Sequence, residues 1–142
     1  MPKRILVVDD HDVVRQGVRL ILRNQTACEV VDEADNGEEA IEKILNIKPD
    51  LVILDISMPG KDGLTVLREI GRPGFAYKPK VLILTMHESN ELGDKIKSSG
   101  GQGYVIKTRA ARDLNRAIAS ILEGGTYFAD LREEPKAETV KL

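Results

Sequence analysis

The sequence predicts an α/β fold built on one doubly wound, five-stranded parallel sheet with the strand order 2-1-3-4-5. Short apolar runs alternate along the chain with segments of helical periodicity, a pattern typical of parallel α/β sheets. The length of 142 residues suits a single compact domain. A hydrophobic content of 42% is enough to fill a core between the sheet and its helices.

The strand order follows from how apolar each predicted strand is. The first, third and fourth runs are apolar throughout, as expected of central strands that are covered on both faces. The second mixes carboxylates with valines, and the fifth is short and flanked by glycine, so these two are placed at the edges. The predicted strands are residues 5–8, 29–34, 51–54, 81–84 and 104–106.

Helical patterns fill the intervals between the predicted strands. In the first of them the apolar side chains recur with a period near 3.6 residues, while Arg15, Arg19 and Arg23 lie on the outer face. The fourth pattern has only Leu92 and Ile96 as apolar anchors, so this helix is expected to shift at low cost. The patterns cover residues 14–22, 40–45, 64–70, 92–96 and 114–122.

The composition changes after Phe128. Residues 129–142 are charged, contain Pro135 and have few large apolar side chains, which is typical of a linker or tail. The predicted division is therefore one domain over residues 1–128 and a linker or tail over residues 129–142.

Charge and cysteine content narrow the possible functions. A net charge of −2 argues against a domain that binds nucleic acid phosphates by bulk charge. The single cysteine, Cys28, allows no internal disulfide and fits a reducing compartment. No leader and no apolar run of about eighteen residues is evident. We therefore expect a cytoplasmic protein with no membrane partner.

Polar side chains follow four of the predicted strands. Asp9 and Asp10 come after the first strand, Asp55 after the third, Thr85 after the fourth and Lys107 after the fifth. Functional groups of open parallel sheets gather at the carboxyl ends of the strands, next to the point where the strand order reverses. With the order 2-1-3-4-5 the first and third strands are neighbours, so the three carboxylates are expected to meet in one shallow cleft.

Three converging carboxylates indicate a hard divalent cation. Oxygen ligands in small number suit Mg²⁺ or Mn²⁺, which retain waters and bind substrate phosphate oxygens. The chain has no Cys/His set for zinc. Lys107 supplies a point charge for a phosphate group. A metal, a lysine, a hydroxyl and an aspartate nucleophile together point to phosphoryl transfer to or from aspartate.

These motifs resemble the receiver domain of two-component response regulators. The resemblance runs from about Lys3 to Phe128 and includes the stretch "LDISMPGKDG". The stretches "DHDVVRQGVRLIL" and "AIASILEGGTYF" resemble the NarL/FixJ-type subgroup, which is joined to a helix-turn-helix output domain. The resemblance implies a flavodoxin-like, CheY-like fold. The matching site residues are Asp9, Asp10, Asp55, Thr85, Tyr104 and Lys107.

The resemblance also implies a role for each site residue. Asp10, Asp55 and the backbone carbonyl of Ser57 would hold Mg²⁺, with Asp9 assisting through a water, and Mn²⁺ could replace Mg²⁺. Asp55 would accept a phosphoryl group from a sensor histidine kinase, and Lys107 would neutralise its oxygens. Because a phosphoryl group adds about two negative charges, it would then draw in the hydroxyl of the switch residue Thr85.

The switch aromatic Tyr104 would follow Thr85 and reshape the surface that a partner reads. Tyr104 also has a plain interpretation as a core residue, and Lys107 as a surface lysine. The implied protein is a phosphorylation-gated switch and not a turnover enzyme. Its partners would be the kinase, a second copy of itself on phosphorylation, and DNA only through an output domain that these residues do not include.

A phosphohydrolase of the haloacid dehalogenase type is the alternative. Its short motif, a nucleophilic aspartate followed two positions later by an acid/base aspartate, matches Asp10 and Asp12. Thr85 and Lys107 could supply later motifs, but Asp55 would then have no role, and no later acidic pair supplies the metal. The two hypotheses therefore differ in which aspartate reacts.

The sequence also predicts three local features near the site. Asp12 is expected to cap the first helix, and His11 to be a loop residue rather than a ligand. Many receivers have a cis proline after the lysine that matches Lys107. Thr108 stands there, so a trans bond is expected, because a non-proline cis bond costs about 3 kcal/mol.

Overall fold

The computed structural model describes residues 1–87 and 89–128. The sheet is parallel throughout and has the order β2-β1-β3-β4-β5, so the predicted fold class is confirmed. The predicted tail, residues 129–142, lies outside the described residues. The elements are β1 (Lys3–Val8), α1 (Asp12–Leu22), β2 (Cys28–Ala34), α2 (Gly37–Ile47), β3 (Leu51–Asp55), α3 (Gly63–Ile70), β4 (Lys80–Thr85), α4 (Asn90–Ser98), β5 (Gly103–Ile106), the 3-10 turn Lys107–Arg109 and α5 (Ala110–Leu122).

Alternate residues of the central strands face opposite sides of the sheet, so the core has two layers. On one side Leu6 and Val8 of β1 pack with side chains of α2, α3 and α4. On the other side Ile5 and Val7 pack with side chains of α1 and α5. Both layers are built mainly from buried aliphatic residues. None of the described helices is long and apolar enough to cross a membrane.

The two edge strands of the sheet, β2 and β5, have different surroundings. On β2 the carboxylate-bearing positions are exposed or half-buried, in agreement with the predicted edge. At β5 the chain returns after α5 and lies along the strand, where Tyr127 forms a parallel bridge to Gly103. Tyr104 N–H donates to the Tyr127 carbonyl at 3.1 Å, and Tyr127 N–H donates to the Gln102 carbonyl at 2.9 Å. The sequence pattern did not predict this isolated bridge.

Helix α4 is thinly anchored, as its pattern predicted. Ser89 caps its first turn by accepting a hydrogen bond from Leu92 N–H at 3.0 Å. Only Gly93 and Ile96 are buried among its residues. Gly93 faces Tyr104 and Phe128, since a Cβ built at Gly93 would lie 3.4 Å from the Tyr104 ring and 3.9 Å from the Phe128 ring. Little apolar area therefore holds α4 in place.

The start of α1 differs from the prediction. The helix begins at Asp12, His11 occupies the N-cap position, and no side chain caps the helix there. The Asp12 carboxylate instead accepts hydrogen bonds from Arg15 at 3.1 Å and Gln16 at 3.0 Å, one turn further along the helix. The prediction that Asp12 is the cap is therefore wrong. The Lys107–Thr108 peptide bond is trans, as expected.

The loop between α3 and β4 is folded back onto the core. Phe75 and Tyr77 are partly buried against the layer that contains α3. The Tyr77 hydroxyl donates a hydrogen bond to the Pro49 carbonyl at 2.7 Å. Two aromatic side chains thus anchor a segment whose conformation the glycines and prolines of the sequence did not define.

Replacing Gly103 with alanine tests the bridge that Tyr127 forms at the edge of β5. A Cβ at this position would lie 2.5 Å from the Tyr127 carbonyl oxygen, so the returning chain must move and lose its bridge. We expect Gly103→Ala to lower the free energy of unfolding in urea by about 1–3 kcal/mol.

Gly17→Ala is the matched control. Gly17 lies in the middle of α1, and a Cβ there would meet nothing within 4 Å. This variant should gain about 0.5–1 kcal/mol from the better helix propensity of alanine. Equal effects of the two substitutions would contradict the close packing at Gly103.

Candidate functional site

The ends of three strands meet around one ammonium group. Asp9 follows β1, Asp55 ends β3 and Lys107 follows β5. The Lys107 Nζ lies 3.0 Å from Asp9 Oδ2 and 3.0 Å from Asp55 Oδ1. The two carboxylate side chains are 0% and 1% exposed, and the lysine side chain is 14% exposed. A single cation therefore bridges two buried carboxylates.

Asp10 and His11 complete the cluster on its outer side. Asp9, Asp10, His11 and Asp55 each offer one ligand atom, and these atoms all lie within 4.8 Å of one another. Asp10 is half-buried and His11 is exposed. We call the carboxylates of Asp9, Asp10 and Asp55 the acidic rim. His11 was expected to be a plain loop residue, yet its ring lies against this rim.

The two oxygens of the Asp55 carboxylate differ in their surroundings. Oδ1 accepts a hydrogen bond from Ser57 N–H at 3.2 Å and lies beside Lys107. Oδ2 is buried and has no hydrogen-bond partner among the described residues. One oxygen is thus held by the protein, and the other is left for an added group.

Burial and the neighbouring charged and hydrogen-bonding groups shift the pKa values of Asp55 and Lys107 in opposite directions. Burial raises the pKa of Asp55, while the hydrogen bonds from Lys107 and Ser57 N–H act in the opposite direction, and the net direction is upward. Burial lowers the pKa of Lys107, but its hydrogen bonds to Asp55 and Asp9 raise it, and the net direction is again upward. Lys107 therefore stays charged at neutral pH.

The charges do not balance within this cluster. The acidic rim has three carboxylates, whereas Lys107 supplies one positive charge. A hard divalent cation would offset the excess negative charge, and carboxylate oxygens are the ligands that Mg²⁺ and Mn²⁺ prefer. The residues present thus fit a divalent metal, and the unpartnered Oδ2 of Asp55 gives that ion a buried ligand.

Glycine residues allow the loop after β3 to lie close to the end of that strand. A Cβ at Gly63 would lie 2.3 Å from the Asp55 carbonyl oxygen, so only glycine allows this approach. Gly63 N–H donates to the Ile56 carbonyl at 3.1 Å, and Gly60 has a positive φ of 74°. This tight path keeps Ser57, whose carbonyl was predicted as a ligand, directly beside Asp55.

The predicted switch residues lie on one face of the sheet. Thr85 pairs with Ile106, and Tyr104 pairs with Ile83, in the same ladder. The Thr85 hydroxyl donates to the His87 carbonyl at 3.1 Å and accepts from His87 N–H at 3.3 Å, so it is engaged with the following loop. Both side chains are buried.

Phe128 covers the switch aromatic. Its ring packs edge-on against Tyr104, with 6.2 Å between the ring centroids and 67° between the planes. Lys97 Nζ of α4 lies 4.8 Å from the centre of the Phe128 ring, within the range of a cation–π interaction. Phe128 therefore joins β5 to α4. The sequence predicted Phe128 only as the last residue of the domain and gave no sign of this contact.

Arg15 was expected on the outer face of α1 but is mostly buried. Its guanidinium donates to the Asp9 backbone carbonyl and to the Glu33 carboxylate on β2, and its side chain is 15% exposed. The arginine therefore ties α1 to the strand end that carries the acidic pair. Helical periodicity could not predict this, because the long side chain turns back toward the sheet.

The geometry does not favour the hydrolase alternative. Asp12, which would be its acid/base, has a side chain that is 69% exposed and is paired with Arg15. It is absent from the group of ligand atoms that includes Asp10. Asp55, which has no role in that hypothesis, is instead a central residue of the cluster.

Comparison with known proteins agrees with this geometry. The family model described as "Response regulator receiver domain" matches residues 5–119. The chain is similar to the response regulator UvrY of Escherichia coli K12, with 38% identity over 125 residues that make up 88% of this chain and 56% of that protein. It is also similar to the oxygen regulatory protein NreC of Staphylococcus carnosus, with 37% identity over 137 residues, 96% of this chain and 60% of that protein.

A solved structure gives the same result. The crystal structure of a LuxR-family two-component response regulator from Aurantimonas sp. SI85-9A1 has a TM-score of 0.84 and 33% identity, covering 99% of each chain. The chain spans little more than half the length of the curated relatives it matches. The family match covers the acidic pair, Asp55, Thr85 and Lys107 together. The chain belongs to the family of response regulator receiver domains.

Proposed function

We propose that this chain is the phosphoacceptor domain of a two-component response regulator, in which Asp55 accepts a phosphoryl group from a sensor histidine kinase. The observation that carries the proposal is the Asp55 carboxylate, which is buried at the acidic rim with Oδ1 held by Lys107 and Ser57 N–H. Its Oδ2 has no partner in the described part of the chain. This is the arrangement of a positioned nucleophile.

Phosphoryl transfer to Asp55 forms one bond and breaks one. An Asp55 carboxylate oxygen attacks the phosphorus of the phosphohistidine, the phosphorus–nitrogen bond breaks, and its electron pair remains on the imidazole of the kinase. Lys107, fixed 3.0 Å from Asp55 Oδ1, neutralises negative charge on the phosphoryl oxygens as they arrive. Ser57 N–H holds the same carboxylate in orientation.

The metal site of this proposal is the acidic rim. Asp10, Asp55 and the Ser57 carbonyl would hold Mg²⁺, for which Mn²⁺ could substitute, and Asp9 would assist through a water. When bound, the metal supplies positive charge that stabilises the phosphoryl oxygens during transfer. Burial of Asp9 and Asp55 strengthens this attraction, because the rim lies partly away from water.

The phosphoryl group acts on the rest of the domain through Thr85 and Tyr104. The Thr85 hydroxyl gives up its hydrogen bonds with His87 and turns to a phosphoryl oxygen. Tyr104 moves into the space that Thr85 leaves, and its contact with Phe128 transmits the movement to α4. The thin anchoring of α4 by Gly93 and Ile96 makes this movement inexpensive.

The role of the whole protein is inferred from the similar proteins described above. The matched proteins are response regulators about twice as long as the matched segment, and the solved structure described above is assigned to the LuxR family. We place the receiver domain at residues 1–128, with residues 129–142 leading to a DNA-binding output domain that controls transcription. The protein then works in the cytoplasm as a switch and not as a turnover enzyme, and phosphorylation favours a homodimer.

Asp55→Asn tests the phosphoacceptor directly. Incubation with acetyl phosphate and Mg²⁺ should add the mass of one phosphoryl group to the wild-type chain, and Asp55→Asn should abolish this adduct because the amide is not a nucleophile. Intact-mass spectrometry measures the result, and Asp12→Asn is the control that should keep the adduct. Steady hydrolysis of phosphomonoesters that depends on Asp10 and Asp12 would support the hydrolase instead.

Asp10→Asn tests the charge imbalance of the acidic rim. Removing one of three neighbouring carboxylates relieves repulsion, so the metal-free variant should gain about 1 kcal/mol in the free energy of unfolding. Saturating Mg²⁺ should stabilise the wild type through binding to the folded state but should stabilise Asp10→Asn far less. Asp12→Asn should keep the Mg²⁺ response, and the proposal fails if Asp10→Asn keeps it as well.

Thr85→Ala tests the switch separately from the chemistry. The variant should still form the adduct on Asp55, since the carboxylate and Lys107 are intact. The ring NMR signals of Tyr104 should change on phosphorylation of the wild type and stay unchanged in Thr85→Ala, because the hydroxyl that links the two is missing. Thr65→Ala in α3 should behave as the wild type. A full Tyr104 response in Thr85→Ala would remove Thr85 from the pathway.

A further inference from the structure

His11 lies against both carboxylates of the acidic pair. Its ring Nδ1 is 3.2 Å from Asp9 Oδ1 and 3.2 Å from Asp10 Oδ1. Its backbone N–H donates to Asp9 Oδ1 at 2.8 Å, which fixes the residue beside the rim. In this contact the Asp9 carboxylate accepts and the ring N–H donates. The other tautomer, with its hydrogen on Nε2, directs the Nδ1 lone pair at the rim and could bind an ion there.

The spacing of these atoms suits neighbouring ligands of one ion. Metal–oxygen and metal–nitrogen bonds of about 2.0–2.2 Å place adjacent octahedral ligands about 3 Å apart and opposite ligands about 4.3 Å apart. The imidazole nitrogen lies 3.2 Å from each of two carboxylate oxygens, and the four ligand atoms of the cluster fall within 4.8 Å of one another. The imidazole is therefore within reach of an ion held by Asp10 and Asp55.

Two further observations point to a cation at this position. Asp55 Oδ2 is buried without a hydrogen-bond partner in residues 1–87 and 89–128. Lys107, which offsets part of the charge, is 14% exposed, whereas the His11 side chain is 60% exposed. The lysine thus occupies the interior of the cluster, and the imidazole is at its mouth, where an entering ion meets it.

We propose that the His11 imidazole is a ligand of the metal at the acidic rim, so that this receiver binds nitrogen-accepting divalent ions such as Mn²⁺ in preference to Mg²⁺. The inference rests on the metal site of the proposed function and adds one nitrogen to its oxygen ligands. Both ions favour oxygen ligands, but Mg²⁺ rarely accepts nitrogen, whereas Mn²⁺, a transition metal, also binds an imidazole nitrogen. His11 therefore sets which ion the site selects.

Calorimetric titration with MgCl₂ and with MnCl₂ measures this selectivity. His11→Ala should weaken Mn²⁺ binding by at least about tenfold, since loss of even an outer partner of a metal ligand costs this much. Mg²⁺ binding should change far less, so the ratio of the two affinities falls. His87→Ala is the matched control, because His87 is the only other histidine of the chain and lies outside the ligand group.

Pulsed electron paramagnetic resonance of bound Mn²⁺ gives a second, direct readout. The wild type and His87→Ala should show the nuclear coupling of a nitrogen bonded to the ion, and His11→Ala should lack it. An unchanged affinity ratio in His11→Ala, or no nitrogen coupling in the wild type, would overturn the assignment.

The failure of this inference is distinguishable from failure of the proposed function. If Mg²⁺ still binds and acetyl phosphate still modifies Asp55 while no nitrogen coupling is seen, only the role of His11 is lost. If neither metal binds the wild type and Asp55 remains unmodified, the metal site itself fails. Because the His11 side chain is exposed and makes no apolar core contact, its truncation should leave the fold intact.

Discussion

The ion pairs of the Lys107 ammonium with two buried carboxylates are the interaction on which this site depends. Adjacent strands lie about 4.8 Å apart, and β4 separates β5 from β3, so only a long side chain can reach from one strand end to the other. The lysine lowers the cost of burying Asp9 and Asp55 but leaves the rim negative. An incompletely neutralised cluster of this kind has the charge to attract the cation and the phosphoryl group of the proposed function.

The order of the sheet and the position of the rim could be predicted because both depend on simple regularities. Apolar runs such as 51–54 can be buried on both faces only in the middle of a parallel sheet, and β3 lies there. Once the order is known, residues directly after each strand must share one edge. Asp9, Asp55 and Lys107 were placed together for this reason, although nearly a hundred positions separate the first from the last.

The remaining details depend on side-chain directions and close contacts that periodicity does not record. His11, and not Asp12, has the extended backbone of the N-cap, and the Asp12 carboxylate bonds to residues of the next helical turn. The bridge between Tyr127 and Gly103 can form only because Gly103 has no side chain. Neither effect repeats along the sequence, so neither produces a pattern. The imidazole of His11 was likewise visible as a neighbour of the acidic pair, but its orientation was not.

The bridge at Tyr127 and the ring of Phe128 bear on where the domain, predicted to end at Phe128, can be joined to another protein. The backbone there is part of the sheet, and the ring lies on the residue proposed to change position with phosphorylation. Anyone who grafts this receiver onto a foreign effector should therefore place the junction beyond Phe128. A fusion made directly after α5 would remove the Tyr127 bridge and the Phe128 ring and uncover the edge of β5.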